Sequence, residues 1–217
     1  MNRRRWQLGR VVALSIVALG SVAHAQLSAD APGLKSDREM RSDRERGGWT
    51  TEEAARRLED PDPTVRLEAV KALAETNSSK SHEYVMQAVG DSDPRVAAAA
   101  VDALGRMGAK EASTLLAQRL FLSAASPGLR QHILVALGKI RDPAAARPVL
   151  EFTQGETDPK IRGTAIRVIG EIGDSSTLTE LRTFGEQEKD PQMKALVQEA
   201  VAKIEAREPR SDTSGAR

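Results

Sequence analysis

From residue 49 to residue 206 the apolar residues recur three and four positions apart, the spacing of one face of an α-helix rather than the alternation of a strand. Prolines punctuate this pattern at positions 63, 94, 127, 159 and 191, at intervals of 31, 33, 32 and 32 residues. Counted from each proline, the second residue is Val65, Val96, Leu129, Ile161 or Met193, and the tenth is Leu73, Leu104, Leu137, Ile169 or Val201. The thirteenth is Thr76, Met107, Ile140, Ile172 or Ile204, and the ninth is small or branched throughout: Ala72, Ala103, Ala136, Val168, Ala200. At 100° per residue these positions, together with the sixth and seventh, share one arc of a helical wheel, so each proline opens an amphipathic helix with a wide apolar face. The residue before each proline is Asp62, Asp93, Ser126, Asp158 or Asp190. A short accepting side chain followed by a residue without an N–H is the chemistry of an N-cap and first helical position.

Upstream of each such helix lies a shorter periodic stretch: Ala54, Ala55 and Leu58; Tyr84, Val85, Ala88 and Val89; Leu115, Leu116 and Leu120; Val149 and Leu150; Leu178, Leu181 and Phe184. Helical hairpins follow. Thr50 with Glu53 and Thr177 with Glu180 have capping-box spacing, and Trp49 stands where it could pack over the first turn. Gly108 and Gly173 occupy the place of a left-handed helix-ending residue, while Gly105, Gly138 and Gly170 sit within helices, where glycine permits close packing. Five hairpins of one period predict an all-α fold, an α-solenoid. At the seventh position the helices carry Val70, Val101, Leu134 and Ile166, but the fifth carries Gln198, the polar switch that a terminal repeat needs.

The run Pro148, Val149, Leu150, then Asp158, Pro159, Lys160, Ile161, Arg162, then Ala165, Ile169, Gly170, Ile172 and Gly173 resembles the HEAT repeat, in the short form shared with the phycobilisome-lyase group. Gly105, Arg106, Met107 and Gly108 repeat the same ending. The resemblance covers about residues 50–206 in five copies. It implies a right-handed superhelix with the proline-started helices lining the concave side, a surface commonly used for binding proteins. It does not imply one function, since such repeats serve scaffolds, lyase subunits and enzymes alike.

The ends of the chain read differently. Arg3, Arg4, Arg5 and Arg10 precede an apolar run from Val11 to Val22 that closes in Ala23, His24 and Ala25. This is the pattern of a signal peptide, residues 1–25, cleaved after Ala25, with the mature chain starting at Gln26. The run is short for a membrane span, and Gln7 favours the general secretory route over the twin-arginine route. Residues 26–48 alternate charge sign with few large apolar groups, a tether or an arm that folds on a partner. The tail, residues 207–217, reads as unstructured, which leaves 49–206 as the repeat domain. The whole chain carries 40% hydrophobic and 3% aromatic residues, a net charge of +1 and no cysteine. Disulfides, thiolate metal sites and cysteine nucleophiles are therefore excluded, and the core must be built from Ala, Val, Leu and Ile. Loss of four arginines with the signal lowers the charge to −3. Such a near-neutral chain has no global pull toward nucleic acid.

Two sets of residues stand out within the repeats. The third position after the proline holds Arg66, Ala97, Arg130, Arg162 or Lys194, inside the apolar arc, where a cation needs a partner. The expected partners are the aspartates of the same or a neighbouring repeat (Asp62, Asp93, Asp158, Asp190), giving a ladder like that of HEAT repeats, broken once at Ala97. The opposite arc would face the concave surface. It carries Lys71, Arg95, Asp102, Arg106, His132, Lys139, Arg167 and Glu171, with Glu68, Glu75, Lys160, Glu199 and Lys203 around them. These residues form the candidate protein-binding face, centred on the cations Arg95, Arg106, Lys139 and Arg167. Mixed sign and the lack of aromatics on this arc argue against a nucleic-acid groove.

No nucleophile elbow, phosphate loop or dinucleotide fingerprint occurs, so no catalytic residue and no cofactor are assigned. His82 followed by Glu83 is a single pair where a HEAT-like di-iron site needs several. His132 has no second histidine in its helix for zinc. Asp60 with Asp62, and Asp91 with Asp93, do not continue into a calcium loop. No metal site is assigned. The sequence thus predicts an exported, non-enzymatic HEAT-like scaffold, periplasmic or else extracellular. It would be monomeric, with no membrane span after signal cleavage, and would bind a protein through its concave face. The alternatives are a lyase-like accessory subunit and a structural envelope spacer.

Overall fold

A computed structural model describes residues 48–207. The signal segment, almost all of the charged 26–48 segment and the tail beyond Arg207 lie outside the described residues. Among the described residues ten α-helices follow one another: α1 Thr51–Arg57, α2 Pro63–Thr76, α3 Ser79–Ala88, α4 Pro94–Met107, α5 Ser113–Leu120, α6 Pro127–Ile140, α7 Ala146–Gly155, α8 Pro159–Ile172, α9 Ser175–Gln187 and α10 Pro191–Arg207. Each odd-numbered helix pairs with the proline-started helix after it, giving five hairpins stacked as an α-solenoid.

Local chemistry explains where the long helices start. The side chains of Asp62, Asp93, Asp158 and Asp190 accept from backbone N–H groups of the first turn, for example Thr64 N at 2.8 Å and Gln192 N at 2.7 Å. Ser126 does the same for Leu129 N at 3.2 Å. The Thr50 and Glu53 capping box forms as expected, and the Arg57 guanidinium lies 4.2 Å over the Trp49 ring beside it. The Thr177 and Glu180 box does not form. Asp174 is the N-cap of α9, and Thr177 is the third helical residue that answers it. Gly108 ends α4 at φ 66°, as expected, and Asn77 and Arg141 take the left-handed conformation at the equivalent position. Gly173, however, is extended at φ −64°. Its glycine serves close approach, because a Cβ there would meet Ile204 at 2.7 Å. Arg207 donates to its carbonyl at 2.7 Å and also to that of Glu171. Arg207 is accordingly the last residue of α10 rather than the first of a tail.

The proline-started helices pack closely on one another along the stack, whereas the odd-numbered helices touch each other sparingly. The crowded row is the inner row of the stack and the splayed row the outer one. Small residues set the close spacing: a Cβ on Gly105 would lie 2.9 Å from Ala136 Cα, and one on Gly170 would lie 3.0 Å from Ala200 Cα. One contiguous core runs through all five repeats, with Leu73, Leu104, Leu137, Ile169 and Ile204 among its buried members. Val70, Val101, Leu134 and Ile166 are buried in it, and Gln198 on the fifth repeat is exposed. Gln198 lines a shallow cavity of about 320 Å³ with Val197 and Val201.

The ladder exists, with different acids. Arg66 makes two parallel hydrogen bonds of 2.8 Å to Asp91, Arg130 lies 3.5 Å from Glu156, and Arg162 pairs with Glu188. The four aspartates expected in this role are already occupied as N-caps, and the ladder acid is instead the residue three before the next proline. That acid also binds its own loop: Asp91 accepts from Asp93 N, Glu156 from Asp158 N and Glu188 from Asp190 N, all within 2.9 Å. Each rung therefore joins the cation of one repeat to the loop of the next. Arg130 and Arg162 also sit over the rings of Phe152 and Phe184, at 5.8 and 5.4 Å. The second rung is missing on both sides, because Ala97 replaces the cation and Ala124 the acid. The two alanines line one notch of about 320 Å³ between repeats two and three. Lys194, the ladder cation of the fifth repeat, has no ion-pair partner among the described residues.

Candidate functional site

The inner row presents its polar arc through positions one, five, eight and twelve after each proline, which succeed one another on the side away from the core. Seven of the eight residues expected on this face are exposed or half-exposed without ties to the core, and the eighth, Arg95, is turned back on its own loop. The Arg95 guanidinium and backbone amide hold the Asp93 carboxyl down to about 2, with Nη2 at 2.8 Å from Oδ2. Arg95 also stands in the first turn of α4, whereas Arg106 stands in its last, about 16 Å away at 1.5 Å per residue. The proposed four-cation patch thus reduces to Arg106, Lys139 and Arg167.

Three acids of the face, Asp102, Glu171 and Glu199, are engaged. Asp102 accepts from His132 Nδ1 at 2.8 Å, linking α4 to α6. Glu171 meets Lys203 at 3.3 Å and Arg141 at 3.5 Å, linking α8 to α10 and to the end of α6. Glu199 lies 3.1 Å from the same Lys203. Lys71, Arg106, Lys139 and Arg167 are exposed and, among the described residues, have no ion-pair partner. Repeats two to four consequently present cations without ion-pair partners, while the acids beside them are held by His132, Arg141 and Lys203.

One member of this surface is invisible to a search for charge. Val135 occupies the eighth position of α6, where the other repeats carry Lys71, Asp102, Arg167 and Glu199, and it is 44% exposed. Its signal in the sequence is that departure from an otherwise charged column. The ladder acids Asp91, Glu156 and Glu188 share a column, the third position before the proline, but each stands two residues from a cap aspartate, and only the packing of the repeats separates the two roles.

The outer row holds the other histidine. His82 Nδ1 lies 2.5 Å from Glu111 Oε1, and Nε2 lies 2.9 Å from Asn77 Oδ1. His82 therefore ties repeat two to the short 3₁₀ turn Lys110–Ala112 that leads into α5. Among the described residues no three histidines, aspartates or glutamates stand together as metal ligands, and no helix is long and apolar enough to cross a membrane.

Comparison with known proteins places this geometry. An engineered protein aligns with 79% of this chain and 85% of its own at 18% identity, with a TM-score of 0.54. The complex of CpcE and CpcF of phycocyanin lyase from Nostoc sp. PCC7120 aligns with 72% of this chain and 65% of its own, also at 18% identity, with a TM-score of 0.56. At that identity the likeness is one of fold. No curated protein matches the chain in sequence. The family model for HEAT repeats matches residues 51–121 and 120–202. Five proline-started hairpins, a shared core and a charged ladder thus belong to a member of the HEAT-repeat family.

Proposed function

We propose that this chain is an exported, non-enzymatic scaffold that binds a partner protein through the inner row of helices. The observation that carries the reading is the set of unpaired cations Arg106, Lys139 and Arg167 on repeats two to four, where the neighbouring acids Asp102 and Glu171 are engaged. A surface held by packed helices yet left with uncancelled charge is suited to steering and orienting a charged protein partner. Export follows from the arginine-rich start, the short apolar run and the small residues before Gln26. The compartment is the periplasm of a cell with two membranes. Mass spectrometry of the exported protein is expected to find Gln26 at its start, and a full-length chain retained in the inner membrane would contradict export.

The scaffold reading is tested by crosslinked co-purification from the periplasmic fraction, comparing the natural chain with the Arg106→Glu/Arg167→Glu variant. A stoichiometric protein partner is expected with the first and a large loss with the second, at unchanged helicity. Equal recovery would move the site to the outer row or the 26–48 segment. A lyase-like accessory subunit is the second reading, favoured by the likeness of fold to the CpcE and CpcF complex. It predicts that the co-purified partner is a second subunit of an enzyme.

A further inference from the structure

We propose that the centre of the inner face, on repeats two to four, receives an acidic protein segment that carries an aliphatic side chain between its carboxylates. The inference rests on the inner row being the binding face and names the chemistry of the partner. Val135 is its centre, 44% exposed in a column otherwise occupied by charged residues. Lys139 stands one turn further along α6, Arg167 level with Val135 on α8, and Arg106 level with Lys139 on α4. One turn is about 5.4 Å, and packed helices lie about 8–10 Å apart. The three cations therefore surround the valine at distances that an extended segment covers in two or three residues, at about 3.3 Å each.

A carboxylate reaching any of them meets a cation with no competing ion pair, because Asp102, Glu171 and Glu199 are bonded to His132, Arg141 and Lys203. Burying Val135 adds an apolar contact that a purely electrostatic ligand would not use. A phosphate backbone or an anionic lipid surface needs a longer uniform stripe. Here the cationic stretch ends at Glu68 and Glu75 on α2 and at Glu199 on α10.

The test uses the mature chain and a fluorescein-labelled twelve-residue peptide with glutamates around a central leucine. Binding is expected, with about tenfold weakening in the Arg106→Gln/Lys139→Gln/Arg167→Gln variant and a loss of affinity as salt rises. Val135→Ser is expected to reduce binding to that of the peptide with serine in place of leucine. Circular dichroism should show all variants folded, since the four side chains are exposed. Undiminished binding by the triple variant overturns the proposal. So does duplex DNA, or a phosphatidylglycerol vesicle, binding the natural chain as tightly as the peptide. If a natural partner still crosslinks to the inner face of the triple variant, the acidic-segment inference fails while the inner-face reading stands. If no inner-face crosslink forms with the natural chain, the reading itself fails.

Discussion

Arg66 and Asp91 meet through two parallel hydrogen bonds of 2.8 Å, with side-chain exposures of only 13% and 9%. Arg66 donates its remaining bonds to the carbonyls of Asp60 and Pro61, so one guanidinium closes its own loop and the next repeat's loop at once. Asp91→Asn is expected to lower stability by about 1.5–3 kcal/mol, the range for hydrogen bonds to a charged group, measured by chemical denaturation. The Arg66 guanidinium holds the Asp91 carboxyl below the usual carboxylate range, and Ser176 does the same for Asp174. Glu111 is lowered by a backbone N–H and by His82, and Asp93 by Arg95 to about 2. A carboxyl lowered on folding contributes stability that is whole above its unfolded value, about 4, and is lost as pH falls through its folded value. Thermal melts should therefore plateau from neutral pH to about 4 and fall between about 4 and 2. Solvent screening limits the share of the exposed pair Asp93 and Arg95. A melting temperature rising on acidification through that window would contradict the assignment.

At the level of whole helices, the missing rung is paired: Ala97 and Ala124 stand where a cation and an acid would face each other. Installing both, as Ala97→Arg with Ala124→Glu, is expected to restore the rung. In a double-mutant cycle the coupling should be favourable and on the order of 1 kcal/mol, with each single variant neutral or destabilising. Absence of coupling would mean that the two positions do not face each other. The stack's end has its own test. Gln198→Leu should leave the melting temperature about unchanged but increase self-association in analytical ultracentrifugation. Ile166→Gln should cost on the order of 1–3 kcal/mol by placing an unpaired amide in a packed interface. The proline period, the cap aspartates and the apolar arc were enough to place all ten helices, because helix starts and buried faces are local properties of the sequence. The ladder acids and the extended Gly173 were not so legible. Which of two nearby acids receives a guanidinium, and whether a glycine serves handedness or clearance, depends on the neighbouring repeat rather than on the segment itself.

For the molecule as a whole, repetition makes the inner row a continuous surface, and its charges decide what it can hold. Half of the face expected from the sequence proved to be internal bookkeeping of charge: Arg95 returns to Asp93, Asp102 to His132, and Glu171 to Arg141 and Lys203. What remains free, Lys71 on repeat one and Arg106, Lys139 and Arg167 about an exposed Val135, could not be separated from the rest by sequence because pairing across repeats needs the register of the stack. The most direct test of the inner-face assignment is photo-crosslinking in the living cell, with benzoylphenylalanine placed singly at Lys71 and Lys139 on the inner row and at Gln87 and Thr114 on the outer row. All four positions are exposed, so each reports on its surroundings without disturbing the core. The account predicts a discrete protein adduct from the inner positions and none from the outer ones. Adducts from the outer positions alone would contradict it.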